Sequence, residues 1–247
     1  IYYVSATLWE IVKMRTVVIT GANRGIGLGL CIHYLTQGWQ VKALCRTPMA
    51  AKELAQIERL GCHNQLQQIS VDLLDMDSTE QMIKQLKTQC GHIDLLINNA
   101  GIGLNQVFGQ WTMEGFQQNY MLHTVVPALL IQGLFGQLAE QAKIVQLTSG
   151  LASIANTKGT GLSAHFEPYA LSKTAVNALS KRLAEKFRDS QLTFCALSPG
   201  WVRTQMGGQD APDSVAEAVL KLSQVIERIG PADSGTYLDE NGHVMPW

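Results

Sequence analysis

Apolar and polar positions follow two rhythms along this chain of 247 residues. Short runs dense in aliphatic and β-branched residues, such as "TVVI", "IDLLI" and "KIVQL", are separated by longer stretches whose apolar residues recur every three or four positions. The runs predict strands at Thr16–Ile19, Val41–Cys45, Leu66–Val71, Ile93–Ile97, Lys143–Leu147 and Leu192–Leu197. The periodic stretches predict helices at Gly25–Gln37, Met49–Leu60, Ser78–Cys90, Thr112–Leu138, Pro168–Phe187 and Asp213–Arg228. Strands joined by helices pair in parallel, because each crossover carries the chain back over a face of the sheet. Their near-continuous apolar character fits burial on both faces. The pattern therefore predicts an α/β fold, a single doubly wound domain over residues 14–247 with a parallel sheet of about seven strands and helices on both faces.

No linker, low-complexity stretch or internal repeat divides that span, and Met14 directly precedes the first strand. Residues 1–13 read as an upstream or cloning-derived extension; the other reading has Trp9 and Ile11 packing on the domain. Composition changes the picture mainly by exclusion. Hydrophobic residues make up 46% and charged residues 16%, enough apolar material for a sizeable core. A net charge of −1 gives no reason to expect nucleic acid or an anionic membrane as partner. Five cysteines (Cys31, Cys45, Cys62, Cys90 and Cys195), odd in number and widely spaced, suggest neither a disulfide framework nor a metal site, so a cytoplasmic setting is expected. No apolar run is long enough to span a membrane, and the first residues lack the basic start and cleavage site of a secretory signal.

In a doubly wound domain, ligands bind beyond the carboxyl ends of the strands. There the first strand runs into "TGANRGIGLGL", with glycines at Gly21, Gly25, Gly27 and Gly29. A strand-to-helix turn of this kind brings unpaired amides toward a phosphate and leaves room for a dinucleotide to approach the backbone. The generic G-x-G-x-x-G pattern fails, since Leu30 stands where its last glycine belongs counting from Gly25, whereas T-G-x-x-x-G-x-G fits from Thr20 to Gly27. Tight helix–strand packing accounts for Gly27 and Gly29 equally well.

That spacing resembles the short-chain dehydrogenase/reductase family, and further motifs follow in the family's order at successive strand ends. "VDLLD" supplies Asp72, "INNAG" supplies Asn98, Asn99, Ala100 and Gly101, "LTSG" supplies Ser149, "YALSK" supplies Tyr169 and Lys173, and "LSPGWVRT" supplies Pro199, Gly200, Val202 and Thr204. The ending "SGTYLDENGHVMPW" is similar to the C-factor-like and carbonyl-reductase-like branch. The resemblance implies a Rossmann-type fold and an oxidoreductase that moves hydride between NADP(H) and a carbonyl or alcohol substrate. It implies a cofactor site built from Gly21, Asn23, Arg24, Gly25, Ile26, Gly27, Arg46, Asp72, Asn98, Ala100 and Gly101, together with Tyr169, Lys173, Pro199, Gly200, Val202 and Thr204. Because the same branch is associated with cell-to-cell signalling, a dinucleotide-binding sensor with little turnover stays open beside the enzyme. A scaffold without cofactor is a third reading.

The chemistry expected of the matched residues has physical grounds. Tyrosine ionises near 10, too high for easy acid–base work, and Lys173 at i+4 shares its helix face and favours the phenolate. Ser149 is expected to bond the substrate oxygen; Thr148 is its neighbour and competitor for that role. The second strand ends on Arg46 with no acid to accept from a ribose hydroxyl, and Arg24 lies in the glycine turn, so the two cations point to NADP(H) over NAD(H); two solvated arginines are the bland alternative. The segment Gly200–Asp213 is expected to form a lid carrying Trp201 and Met206, and Gly150–Phe166 to shape the pocket. A homodimer or homotetramer is expected through Thr112–Leu138 and Pro168–Phe187, the first being apolar around much of its circumference. Alignment on Pro127 and Tyr120 places His123 where the family carries a relay asparagine; Asn119 falls one turn early. Either the main-chain carbonyl of His123 serves the relay, or its imidazole moves protons, or it is an idle buried histidine.

Overall fold

In the computed structural model, residues 14–104, 106–156 and 166–247 are described. The extension at 1–13 and the centre of the Gly150–Phe166 stretch lie outside them. Seven strands, β1 (Thr16–Thr20), β2 (Gln40–Cys45), β3 (Leu66–Ser70), β4 (Ile93–Asn98), β5 (Leu138–Leu147), β6 (Thr193–Leu197) and β7 (Thr236–Leu238), form one sheet in the order β3-β2-β1-β4-β5-β6-β7. Every neighbouring pair is parallel. The order reverses between β1 and β4, and this switch point opens the crevice used below.

Seven helices cover the sheet: α1 (Gly25–Thr36), α2 (Ala51–Arg59), α3 (Met76–Gln89), α4 (Met113–Tyr120), α5 (Val126–Leu134), α6 (Glu167–Lys186) and α7 (Val215–Arg228). Alternate strand residues feed two cores. Val17, Ile19, Leu95 and Ile97 pack with Leu30 and Leu35 of α1 and Leu222 and Ile226 of α7. Val18, Leu96 and Ile144 pack on the other face with Met82 and Leu86 of α3 and Leu130 and Ile131 of α5. Asp75 caps α3 through the amides of Asp77 and Ser78, and Ser214 with Glu217 forms a capping box on α7. Such caps contribute about 1 kcal/mol each.

Three expectations are corrected. The helix expected over Thr112–Leu138 is broken into α4, a π-helical turn at Met121–Val125, α5 and a 3₁₀ turn at Phe135–Gln137. Pro127 is the physical reason: it has no N–H for the carbonyl four residues earlier, that of His123. Next, β5 starts at Leu138 rather than Lys143, since Glu140 and Gln141 near its beginning are exposed and break the apolar signature. Finally, α5 needs no partner chain to cover it, because Val126, Pro127, Leu130, Ile131 and Leu134 are buried within this chain. Strand β7 carried no predicted range; three residues are too few for a periodic signal.

Candidate active site

Three side chains meet at the carboxyl ends of β5 and β6. Ser149 directly follows β5 in extended conformation and opens a 3₁₀ turn, Gly150–Ala152, accepting from the Leu151 amide through its own Oγ. With one lone pair of Oγ held by that amide, the serine hydroxyl proton is free to point outward, and the hydroxyl is near enough to Tyr169 to favour its phenolate. Thr148 is buried and turned the other way, toward the Lys173 carbonyl (3.4 Å). Tyr169 stands in the first turn of α6, after Pro168, and Lys173 follows one turn later on the same face. The lysine Nζ donates to the Leu147 carbonyl at 2.6 Å and lies 5.7 Å from the centre of the tyrosine ring.

Burial dominates the titration of this pair. It pushes Tyr169 up to about 12, opposed by the Ser149 hydrogen bond, and pulls Lys173 down to about 7. The expected lowering of the tyrosine by lysine charge is therefore corrected: desolvation dominates, and the influence that opposes it comes from Ser149. The chemical consequence is an acid that keeps its proton at neutral pH beside a lysine poised to exchange one.

His123 is locked into a single role. Its Nε2 accepts from the Ile102 amide at 3.0 Å, and an amide only donates, so that nitrogen carries no proton. Its Nδ1 sits 2.7 Å from Ser172 Oγ, which donates to the Tyr169 carbonyl at 2.6 Å, leaving Nδ1–H as donor to the serine. The ring is thus neutral, tying the loop after β4 to the turn of α6 that bears the tyrosine. Burial and the nearby Lys173 both hold its protonation well below the usual histidine range. Asn119, by comparison, bonds only backward to the Gly115 carbonyl at 2.8 Å. Because unfolded chains bind a proton at this histidine below about pH 6.5 and the folded protein does not, its contribution to stability is lost as pH falls below that value. His123→Asn is expected to lose less stability between pH 7.5 and 5 than the parent, read from urea midpoints at the two pH values.

The glycine turn lies across the crevice. Gly21 and Gly25 have φ of +65° and +53°, conformations that side-chain-bearing residues rarely adopt. A Cβ at Gly25 would meet only Thr204, at 3.4 Å, so the turn faces open space there. The end of α1 has no side-chain cap and no acid in its first turn, unlike α3 and α7, which leaves its amides available to an anion. These features fit a bound dinucleotide phosphate. At Gly27 a Cβ would fall 2.2 Å from the Gly21 carbonyl oxygen, so close packing by itself requires a glycine there. Asn99 had no assigned role, yet its Nδ2 donates to the carbonyls of Thr20 (2.8 Å) and Gly21 (3.1 Å), pinning the turn to β4. Only its place in "NNAG" hinted at this.

The remaining residues line the same cleft. Arg46 approaches the Asp72 carboxylate at 4.0 Å at the ends of β2 and β3, and the Arg24 guanidinium bonds the Gln205 side chain. Asn98 is buried with neither side-chain polar atom partnered, while Ala100 donates its amide to Thr20 Oγ1 at 2.9 Å, and Gly101 lies against the His123 ring. Half-exposed Asn23 and Ile26 flank Arg24 at the start of α1. Past β6, Pro199 and Gly200 lead into buried Val202 and Thr204, whose Oγ1 accepts from Gly207. The Gly200–Asp213 segment is tied internally: Trp201 Nε1 donates to the Gly207 carbonyl at 2.7 Å, and Arg203 to that of Ala211 at 2.8 Å. Trp201 is exposed and does not pack into the core, and Met206 reaches over to Gly103 from the opposite wall. Among the described residues there is no cluster that would hold a metal ion, and no helix is long and apolar enough to cross a membrane.

Known proteins share this arrangement. The NADPH-bound carbonyl reductase from chicken fatty liver superposes with a TM-score of 0.85 at 29% identity, covering 95% of this chain and 99% of its own. The carbonyl reductase Sniffer of D. melanogaster gives 0.84 at 28% identity, over 95% of this chain and all (100%) of its own. In sequence, the protein named C-signal of Myxococcus xanthus is 30% identical over 161 residues, 64% of this chain and 94% of its own. The model of the short chain dehydrogenase family matches residues 15–214. With the glycine turn, the serine–tyrosine–lysine group and the sheet order all in place, this chain belongs to the short-chain dehydrogenase family.

Proposed function

We propose that the protein is an NADPH-dependent reductase of aldehydes, ketones or quinones, acting in reverse on the matching alcohols. The observation that carries this reading is Tyr169, protonated at neutral pH, with Ser149 near its hydroxyl and Lys173 Nζ 5.7 Å from its ring. Ser149 would donate to the substrate oxygen and stabilise the charge developing there. Tyr169 would give that oxygen its proton, and Lys173, with a pKa drawn down to about 7, would return a proton to the phenolate. The carbonyl of His123, which Pro127 has no N–H to meet, would anchor water on the way to solvent. Bound NADPH would supply the hydride. The turn from Gly21 to Ile26 would hold its phosphates, Arg24 and Arg46 its 2′-phosphate, Asp72, Asn98, Ala100 and Gly101 its adenosine side, and Lys173, Pro199 and Val202 through Thr204 its nicotinamide side. The NADPH bound in the chicken neighbour supports this choice of cofactor.

The exposed lining favours apolar substrates. Leu104, Ile154, Trp201 and Met206, on the loops that follow β4, β5 and β6, are all exposed. Consumption of NADPH absorbance with a panel of aldehydes, ketones and quinones tests the reading. Dinucleotide binding without turnover of any panel member would replace it with the sensor reading, which the similarity to the Myxococcus C-signal supports. With all five thiols free, a reducing cytoplasmic setting is part of the same proposal.

A homodimer, or a tetramer built from it, would use α4 and α6 rather than α5. Met113 (74% exposed), Tyr120 (50%) and Leu171 (57%) lie on those two helices. Sedimentation at micromolar concentration is expected to show about twice or four times the mass of one chain. Met113→Glu with Leu171→Glu should return the monomer, and a wild-type chain that sediments at 27.1 kDa would sink the assembly.

A further inference from the structure

The closing stretch "DENGHVMPW" has no part in the chemistry above, yet it is built into the wall behind the reactive serine. Strand β7 carries Tyr237, fully buried, whose hydroxyl donates to the Ser149 carbonyl at 2.6 Å. That carbonyl also accepts from the Ala152 amide at 3.0 Å, so two donors converge on the backbone of Ser149. After a turn at Asn241–Gly242 the chain doubles back, and the Met245 amide donates to the Tyr237 carbonyl at 2.8 Å. Met245 packs with Ala152, Ala196 and Tyr237, and its methyl would touch a Cβ at Gly150. The Trp247 ring lies on the Tyr237 ring with centroids 5.5 Å apart.

The same stretch grips the segment just past the serine. Ser153 Oγ donates to the Pro246 carbonyl at 2.7 Å, and the amides of Ile154 and Ala155 both donate to the Trp247 carbonyl, at 2.5 and 2.9 Å. The segment from Ser149 to Ala155 is thus held at four residues, three through the backbone and Ser153 through its hydroxyl, by groups from Tyr237 and from Pro246–Trp247. A 3₁₀ turn of three residues supplies little rigidity of its own.

We propose that Tyr237 and the strap Val244–Trp247 are positioning elements for Ser149. They fix the angle at which its hydroxyl meets Tyr169 and the substrate oxygen, without touching either reactant. The kinetic part of this inference rests on the reductase reading; the structural part does not. Displacements near 1 Å in a reacting geometry cost on the order of 10²-fold in rate, so loosening this wall should appear in kcat.

The test uses Tyr237→Phe, which deletes only the hydroxyl, and Trp247→Ala, with Trp247→Phe as the conservative rescue. Amide hydrogen exchange at Leu151, Ala152, Ile154 and Ala155 is measured without ligand. NADPH affinity is measured by calorimetry, and kcat on whichever panel carbonyl the parent reduces. Exchange is expected to quicken at Ala152 in Tyr237→Phe and at Ile154 and Ala155 in Trp247→Ala. The first two variants should lose about tenfold or more in kcat with NADPH affinity within about twofold of the parent, and Trp247→Phe should recover most of it. Unchanged exchange at these amides overturns the strap whether or not the parent is a reductase. Quickened exchange with unchanged kcat shows a wall that does not position the serine, and overturns the proposal as well. A parent that reduces nothing refutes the reductase reading, while the exchange arm still decides the strap.

Discussion

Replacing Tyr169 with phenylalanine is expected to cut kcat for carbonyl reduction by about 10³-fold while leaving the protein folded and its NADPH affinity within a few-fold of the parent. The ring stays in contact with His123, 5.3 Å away in edge-to-face packing, so the variant removes only the proton donor. Tyr237, the other protonated phenol at this wall, bonds the Ser149 carbonyl and not its hydroxyl. The pH profile gives the companion result. Because Tyr169 sits at about 12 and Lys173 at about 7, kcat/KM for reduction should fall as pH rises through roughly 7, where Lys173 of the free enzyme loses its proton. Lys173→Met should abolish that inflection along with most of the rate. A Tyr169→Phe variant that keeps a tenth or more of its kcat would move the acid elsewhere.

Arg46→Asp should turn cofactor preference from NADPH toward NADH by about 10²-fold or more in kcat/KM ratio. A charge-assisted hydrogen bond contributes about 1.5–3 kcal/mol, and solvent around an exposed arginine lowers this. Even 1.4 kcal/mol is about tenfold. The aspartate both removes the attraction and repels the 2′-phosphate, while offering an acceptor for a 2′-hydroxyl. Arg24→Ala should weaken NADPH alone by about tenfold and leave NADH unchanged. Both cations have partners within the chain, Asp72 for Arg46 and Gln205 for Arg24. Cofactor binding therefore has to exchange those contacts, and tighter binding of NADH than of NADPH by the parent would remove the basis for both effects.

Most of this architecture is legible in the chain because buried parallel strands write themselves as unbroken aliphatic runs, and amphipathic helices between them fix the connectivity. The limits have equally physical causes. Residues 112–138 read as one helix because the signal there is apolar content, which α5 satisfies on its own; only Pro127 marks the break, and a proline near a helix start is otherwise unremarkable. The contents of the candidate site are readable where a motif sits at a strand end. Asn99 pinning the glycine turn, Ser172 completing the link from His123 to Tyr169, and the last four residues bracing Ser149 are contacts between positions 49 to 94 apart or more closely tied through backbone atoms, and no local pattern encodes them. Titration was misjudged for the same reason: i+4 spacing displays the lysine's charge, whereas desolvation depends on everything packed around it.

The five cysteines bear on which reagents such an enzyme can survive. All are buried, and desolvation raises the thiol pKa of Cys31, Cys45, Cys90 and Cys195, so the nucleophilic thiolate is scarce at neutral pH. Quinones and unsaturated aldehydes, members of the proposed substrate class, are also alkylating agents that consume exposed thiolates. A protein whose thiols are all buried presents such compounds with no exposed thiolate, so a reductase of this build would be expected to outlast a thiol-dependent enzyme in their presence.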